Sequence, residues 1–308
     1  MKSLISFILI LSYFTSINAK EESEPQQSGP TGTEIVLADI DFKKGKPIVS
    51  NAQNITNRAG YDSQPAFMDK DKAIYFTRFI DNQTDIYKFD LKSKKLSPFM
   101  QTPESEYSAT PIAGRKGISV VRVELKKGEN DQAIQHVRWL HKDRKTNHSD
   151  LMSDLDTIGY HNWTGKNKLW MFIINEDQGD LYYQTIGKKP KLIASKIGRS
   201  IKTDAKMKNV YYVDKSTDAW SIIKINAKNF KKSKILELPE GVEDFAIDSK
   251  GNFWCGQNNT LYFSKKGKIW TIVKEFDLPG IANISRVDVN TKIDKIALVF
   301  NENKKIIL

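Results

Sequence analysis

Apolar positions along the chain fall in short runs rich in Ile, Val, Phe, Tyr and Trp, separated by stretches carrying Lys, Asn, Asp and Gly. Few windows sustain a 3.6-residue period, so the pattern predicts strands joined by turns and little helix. The most distinct runs are Ile74-Tyr75-Phe76, Ser119-Val120-Val121, Leu169-Trp170-Met171, Val210-Tyr211-Tyr212, Phe253-Trp254-Cys255 and Ile296-Ala297-Leu298. Their spacing matches the roughly 40–50-residue period of a four-stranded propeller blade. A second strand is expected after most of them, at Asp85-Ile86-Tyr87, Asp180-Leu181-Tyr182, Asp218-Ala219-Trp220 and Thr260-Leu261-Tyr262.

The two ends of the chain complete the pattern. The last unit, Ile284 to Val289 and Ile296 to Phe300, is two strands short, and Glu34 to Ile40 with Pro47 to Ile55 can supply the missing outer pair. The expected fold is all-β: a six-bladed β-propeller of four-stranded blades, its last blade closed by strands from both termini. Radial repetition of this kind leaves only short, protected sheet edges.

The first residues change the picture of where this domain works. Met1-Lys2 is a short basic start, Leu4 to Phe14 is nearly all apolar, and Ser16-Ile17-Asn18-Ala19 offers small residues before a charged stretch. That is the layout of a secretory signal peptide over residues 1–19, too short to span a bilayer at the roughly 20 residues required. Lys20 to Thr33 is dominated by Pro, Gly, Ser and Glu and is expected to be a disordered tether, with the propeller occupying 34–308. Hydrophobic residues make up 39% and charged residues 28% of the chain, a balance that excludes a polytopic membrane protein. The expected product is exported, periplasmic or extracellular, a monomer without stable membrane insertion.

Tyr61-Asp62-Ser63-Gln64-Pro65-Ala66-Phe67, followed by Asp69, Asp71, Ile74-Tyr75-Phe76-Thr77, Asp85-Ile86-Tyr87 and Phe89-Asp90-Leu91, resembles the propeller repeat of the TolB-like family. Pro103 to Pro111 resembles the start of a further repeat, and the good match covers about 50 residues, the length of one blade. Asp71 stands where the family usually has glycine. The resemblance implies a six-bladed propeller, commonly periplasmic and often a platform for protein interaction. The α/β domain that precedes the TolB propeller is not expected here.

Motifs for chemistry are sparse. His136 and His141 are five apart on a predicted strand, so they face opposite ways and do not share a metal; His148 falls in a polar turn. No G-x-S-x-G nucleophile elbow occurs, and Cys255 lies inside an apolar strand as a small hydrophobe. Asp69-Lys70-Asp71 and Asp81-Asn82 suit hairpin turns better than calcium loops, which need a following glycine and a distal glutamate. The formal charge of +11 is spread through paired lysines in different units, such as Lys188-Lys189 and Lys265-Lys266, so export and this scatter argue against nucleic acid.

Position within a propeller supplies the functional candidates. The leading end of each innermost strand should line the mouth of the axial channel, which places Tyr61, Asp62, Tyr107, Ser108, Tyr160, His161, Lys202, Asp244 and Arg286 there. Aromatic and charged side chains converging on one pocket are what a binding site needs. The expectation is a non-enzymatic propeller binding a protein segment or envelope ligand at that mouth, the partner being an envelope or secreted protein or an acidic polysaccharide. No cofactor is implied. The alternative is a calcium-assisted hydrolase or lyase acting on a lactone or sugar, with calcium held on the axis.

Overall fold

Each of the distinct apolar runs is the second strand of a sheet or half-sheet, and it is apolar because both of its faces are covered. In the computed structural model, which describes residues 29–126, 132–142, 147–153, 155–176 and 178–303, the regular structure is almost entirely strand. Strands β1 (Thr33–Lys43) and β2 (Lys46–Asn54) come first. A meander follows of β3 (Asp62–Met68), β4 (Ala73–Ile80), β5 (Gln83–Asp90) and β6 (Leu96–Pro98). The next comprises β7 (Ser105–Pro111), β8 (Ile118–Lys126), β9 (Gln132–Lys142) and β10 (Asn147–Ser153). The longest run holds β11 (Ile158–Trp163), β12 (Lys168–Asn175), β13 (Gln178–Thr185), β14 (Lys191–Thr203), β15 (Asn209–Asp214), β16 (Ser221–Asn226) and β17 (Lys232–Glu237). Last come β18 (Ala246–Ile247), β19 (Phe253–Gln257), β20 (Thr260–Ser264), β21 (Trp270–Glu275), β22 (Ile281–Val289) and β23 (Lys295–Glu302).

The sheets are antiparallel: four of four strands and one of seven, β11 through β17. In the seven-stranded sheet β14 serves twice. Its first half pairs with β13 up to Ile197, and its second half pairs with β15 from Ile197 to Thr203. One four-stranded sheet has the order β2-β1-β23-β22, so strands from both ends of the described chain share it, with Val36 opposite Leu298. Among the described residues there is no α-helix, only a single 3-10 turn at Lys265–Gly267.

Among the described residues six apolar clusters hold the ring together, five of them between successive sheets. One packs Ile74 and Phe76 of β4 against Ile35, Ala297 and Val299 of the shared sheet. Another packs Trp254 and Leu261 against Val287, Ile296 and Leu298 on that sheet's other side. The intervening clusters carry the packing round, and one of them lies inside the seven-stranded sheet, where Trp170 and Leu181 meet Val210 and Tyr212. Each fully buried aliphatic or aromatic side chain contributes about 1.5–3 kcal/mol. The fully buried tryptophans have partnered indole N–H groups: Trp163 donates to Ser119 Oγ at 2.8 Å, Trp170 to Thr164 Oγ1 at 2.9 Å and Trp254 to Asp248 Oδ2 at 3.2 Å. Cys255 is buried in the same way, and burial raises its thiol pKa.

Turn residues behave as their chemistry directs. Asp81 and Asn82 make the two-residue turn between β4 and β5 with φ of 49° and 64°, the left-handed pair of a type I′ hairpin. Asp71, at φ 63°, uses its carboxylate to hold the distant turn at Thr291 and Lys292, accepting from both backbone N–H groups and from Thr291 Oγ1 at 2.6–3.1 Å. That link explains an aspartate where the repeat favours glycine. Lysine pairs 43–44, 188–189, 231–232 and 265–266 are exposed, in turns or at strand ends. One predicted strand is displaced: Asp218-Ala219-Trp220 lies in the turn before β16, because β16 starts at Ser221. Residues 1–28, with the expected leader and most of the expected tether, lie outside the described residues.

Candidate functional site

The first strand of each unit lies against the first strand of the next, in the sequence β3, β7, β11, β14, β18, β22, and β22 returns to β3. These strands enclose an axis. Register slips between Ser63 and Ala66, Tyr107 and Thr110, Ile158 and Tyr160, Ile197 and Ile201, and Ala282 and Arg286 show that five of them are bulged. A bulge re-aims the side chains beyond it, and here it turns polar groups inward near one end of the ring.

Arg286 of β22 and Tyr160 of β11 come from opposite sides of this ring and meet across it. Arg286 Nη2 donates to Tyr160 Oη at 2.8 Å, with the guanidinium 5.2 Å from the centre of the tyrosine ring. Tyr61 and Tyr107 complete the group, Tyr61 lying within electrostatic reach of Arg286, Tyr160 and Tyr107. Asp244 Oδ2 stands 3.8 Å from Arg286 Nη1, while its Oδ1 accepts the Val287 N–H at 3.1 Å. Arg199 of β14 reaches Ser285 O at 3.3 Å and stands 3.8 Å from Glu243 Oε2. Glu243 also receives Lys215 Nζ at 3.3 Å. Two residues beyond Arg286, Asp288 accepts the Phe67 N–H at 2.9 Å and faces Lys202 and Asp244.

The charges perturb one another in traceable ways. Burial alone would raise the Tyr160 phenol, but Arg286 and Arg199 outweigh it and hold it below the ordinary tyrosine value. The Tyr61 phenol is raised, by burial and by the neighbouring Tyr160 and Tyr107, with Arg286 opposing. Burial likewise raises Asp288, against Lys202 and the Phe67 N–H. Burial works against the charge of Arg286, yet Tyr160, Tyr61 and Asp244 shift it upward, so it stays protonated.

The structure therefore brings Tyr61, Tyr160, Asp244 and Arg286 together, with Tyr107 beside Tyr61 and Lys202 beside Asp288. Three other sequence candidates stand in the walls. Asp62 is fully buried beneath the mouth, accepting from Arg78 at 2.7 and 2.9 Å and from Arg58 at 3.0 and 3.3 Å. Ser108 is buried against the neighbouring sheet, where its N–H and hydroxyl meet Gln64 Oε1 at 2.7 and 3.1 Å. His161 packs edge-on against Trp163 and bonds Ser119 Oγ at 2.7 Å through Nε2. Because Ser119 Oγ donates to Thr110 O at 3.0 Å, Nε2 carries the proton, and Nδ1 is left as a buried acceptor with no partner. Burial pushes the His161 pKa down to about 3, so the ring is neutral.

Arg199, Lys215 and Asp288 belong to the site and are absent from the sequence-derived set. The bulge between Ile197 and Ile201 conceals Arg199, since simple alternation from Lys202 assigns it to the opposite face. The only sequence signal for Asp288 is its i+2 relation to Arg286. A groove of about 590 Å³ lies elsewhere, on the β7–β10 sheet, lined by Glu104, Arg122, Glu124 and Arg138 among others. Its arginines are already tied to carboxylates: Arg138 to Glu124 at 2.7 and 2.9 Å, and Arg122 to Glu106 at 3.0 Å. His136 bonds Glu124 and Asp156, while His141 bonds Asp150 and stacks on Trp139, so the two histidines do not meet. Among the described residues no group of three or more His, Cys, Asp or Glu side chains is placed to hold a metal ion.

This ring of antiparallel sheets is a β-propeller, and solved propellers superpose on it. A candidate TolB from Agrobacterium tumefaciens matches with TM-score 0.64 at 10% identity, over 89% of this chain and 100% of that one. TolB from Acinetobacter baumannii matches with TM-score 0.56 at 11% identity, over 88% of this chain but 65% of that one, so this chain spans less than two thirds of that protein. A gluconolactonase from Xanthomonas campestris matches with TM-score 0.58 at 8% identity, over 88% and 98% of the two chains. An oligogalacturonate lyase in complex with manganese matches with TM-score 0.54 at 9% identity, over 84% and 83%. No protein-family model matches the sequence, and no curated protein sequence matches it. At these identities the likeness establishes the fold, which in these neighbours serves TolB proteins and enzymes alike. Among the described residues no helix is long and apolar enough to cross a membrane.

Proposed function

We propose that this protein is an exported, non-enzymatic, six-bladed propeller that binds an extended segment of another exported protein at the axial mouth. The blade count follows from dividing the seven-stranded sheet at Ile197, where β14 stops serving as an outer strand and starts serving as an inner one. Six inner strands and six intervening cores fit that division. Residues 1–19 act as the leader, 20–33 as a tether and 34–308 as the propeller. The domain works as a monomer, without a resident cofactor and without nucleic acid. The TolB-type repeat around Tyr61 to Leu91 and the TolB structures among its neighbours support a TolB-like relationship and an envelope location.

The observation that carries the reading is the meeting of Tyr160 and Tyr61 with Arg286 at one end of the axis, with Tyr107 beside Tyr61. Tyrosine and arginine dominate the energetics of protein recognition sites, since both offer broad contact area with directed hydrogen bonds. The test is site-specific photo-cross-linking in the cells that make the protein, with the reactive side chain at position 107 and a control at exposed Ile272 of the outer edge strand. A discrete adduct with an exported protein from position 107 alone is expected. Equal adducts from both positions, or none from 107, overturn the reading. The competing enzyme hypothesis predicts instead that calcium raises the unfolding midpoint, that EDTA reverses it, and that lactone or glycan is turned over.

A further inference from the structure

The arginines that stand beside acids are not all paired alike. Arg78 and Arg138 each grip both oxygens of a carboxylate at 2.7–2.9 Å. That is the geometry of a satisfied, charge-assisted pair. The two arginines at the mouth lack it. Arg286 makes its one short bond to the Tyr160 phenol, and its nearest acid, Asp244, stands 3.8 Å away. Arg199 has only Ser285 O at 3.3 Å and Glu243 at 3.8 Å, and its Nε–H is buried with no acceptor.

The nearby acids are engaged elsewhere, Asp244 with the Val287 N–H and Glu243 with Lys215 and the Arg199 N–H. Two guanidinium forks thus converge on the axis without the planar anion each is shaped to hold. Three tyrosines flank them, so the anion should arrive on an organic carrier with flat or apolar parts.

Resting on the binding role just argued, we propose that the segment captured at the mouth presents a carboxylate, which Arg199 and Arg286 receive together. The source is an acidic side chain or the free carboxyl end of a peptide, and the chemistry is the same for both. Arg199 Nη2 reaches the carbonyl of Ser285, the residue before Arg286, so the two arginines stand at the same stretch of β22.

The test uses the mature protein with three probes at low ionic strength, where charge pairing is least screened. These are an oligoglutamate peptide capped at both ends, a neutral oligoglutamine peptide with a free carboxyl end, and oligogalacturonate of matched charge. Binding of at least one peptide is expected, and Arg199→Gln should weaken it about tenfold or more, as loss of a charge-assisted fork does. Arg199→Lys, which keeps the charge but loses the fork, should fall between; it also serves if the glutamine variant fails to fold. The bound peptide should also suppress the adduct formed from position 107.

Which peptide binds identifies the source, side chain or chain end. Failure of both to bind, or binding that Arg199→Gln leaves unchanged, overturns the inference. Tighter, Arg199-dependent binding of oligogalacturonate overturns it in favour of an acidic polysaccharide. A position-107 adduct that neither peptide suppresses overturns the carboxylate while leaving the binding role standing; loss of the adduct in the unchanged protein overturns the binding role itself.

Discussion

Replacing Asp62 with asparagine separates a wall residue from a ligand-contacting one. The substitution keeps shape and removes charge. It leaves Arg78, only 7% exposed, without its carboxylate, and it turns an amide N–H group toward guanidinium donors. Removing one partner of a buried pair costs about 3–5 kcal/mol. Arg58, 27% exposed on its side chain, can turn to water and absorb part of the loss, which favours the lower end of that range. At about 2–4 °C per kcal/mol for a domain of this size, the unfolding midpoint should fall by roughly 6–12 °C. Scanning calorimetry of the two proteins side by side reads this directly. Oligoglutamate binding at the mouth should stay within about twofold, because nothing aimed at the axis has changed. Adding Arg78→Met should recover much of the loss, since it removes the charge that the first substitution orphans. A fall of less than about 2 °C, or a loss of binding at unchanged stability, would refute the reasoning and return Asp62 to the ligand site.

Two further expectations concern pH and closure of the ring. Burial, with Asp85 adding, pushes the Glu106 carboxyl up to about 7 against Thr102 and Arg122. The folded form therefore holds this proton more tightly than the unfolded chain; the resulting stability is full below the ordinary carboxylate range and is lost as pH rises through about 7. His161 has the opposite sign: its contribution is present above the usual imidazole value and is lost as pH falls toward about 3. Midpoints measured against pH should flatten on the neutral side in Glu106→Gln and on the acid side in His161→Phe; unchanged profiles would contradict the burial argument. Asp71→Gly relieves left-handed strain but deletes three hydrogen bonds to Thr291 and Lys292, so a net loss of about 1 kcal/mol is expected from urea unfolding. A gain would mean the inter-sheet link contributes nothing.

The strand runs were legible because covering both faces of a strand writes an unbroken apolar run into the sequence. Ile74 to Phe76 and Ile296 to Leu298 show it plainly. The shared sheet was legible too, from two strands lacking partners at one end and two at the other. Inner-strand register was not. Matching like residues sets Tyr61 beside Tyr107, but the ladders pair Asp62 with Arg78 and Glu106 with Arg122, so Asp62 corresponds to Glu106 and Gln64 to Ser108. Gln64 and Ser108 share the left-handed bulge conformation, at φ 58° and 56°. The acid and arginine sixteen positions apart in both units were the signal that could have fixed this. Bulges break the two-residue alternation on which face assignment depends, which is why Asp62, Ser108 and His161 fell in walls and Arg199 went unseen.

The sheet that joins β1 to β23 also sets a timetable. Val36 pairs early with Asn54 of β2, but its other edge must wait for Leu298, and at ribosomal rates of roughly 5–20 residues per second that wait lasts on the order of 10–50 s. Throughout it, Ile35, Val36 and Leu37 belong to an apolar strand with one open edge, the kind of edge that other chains can capture. The intermediate sheets can form from local hairpins as they emerge, but the last junction joins the most distant parts of the chain, the slowest class of contact to make. A nascent chain of this design is thus most exposed to chaperones and proteases at its oldest strand, until its youngest one arrives.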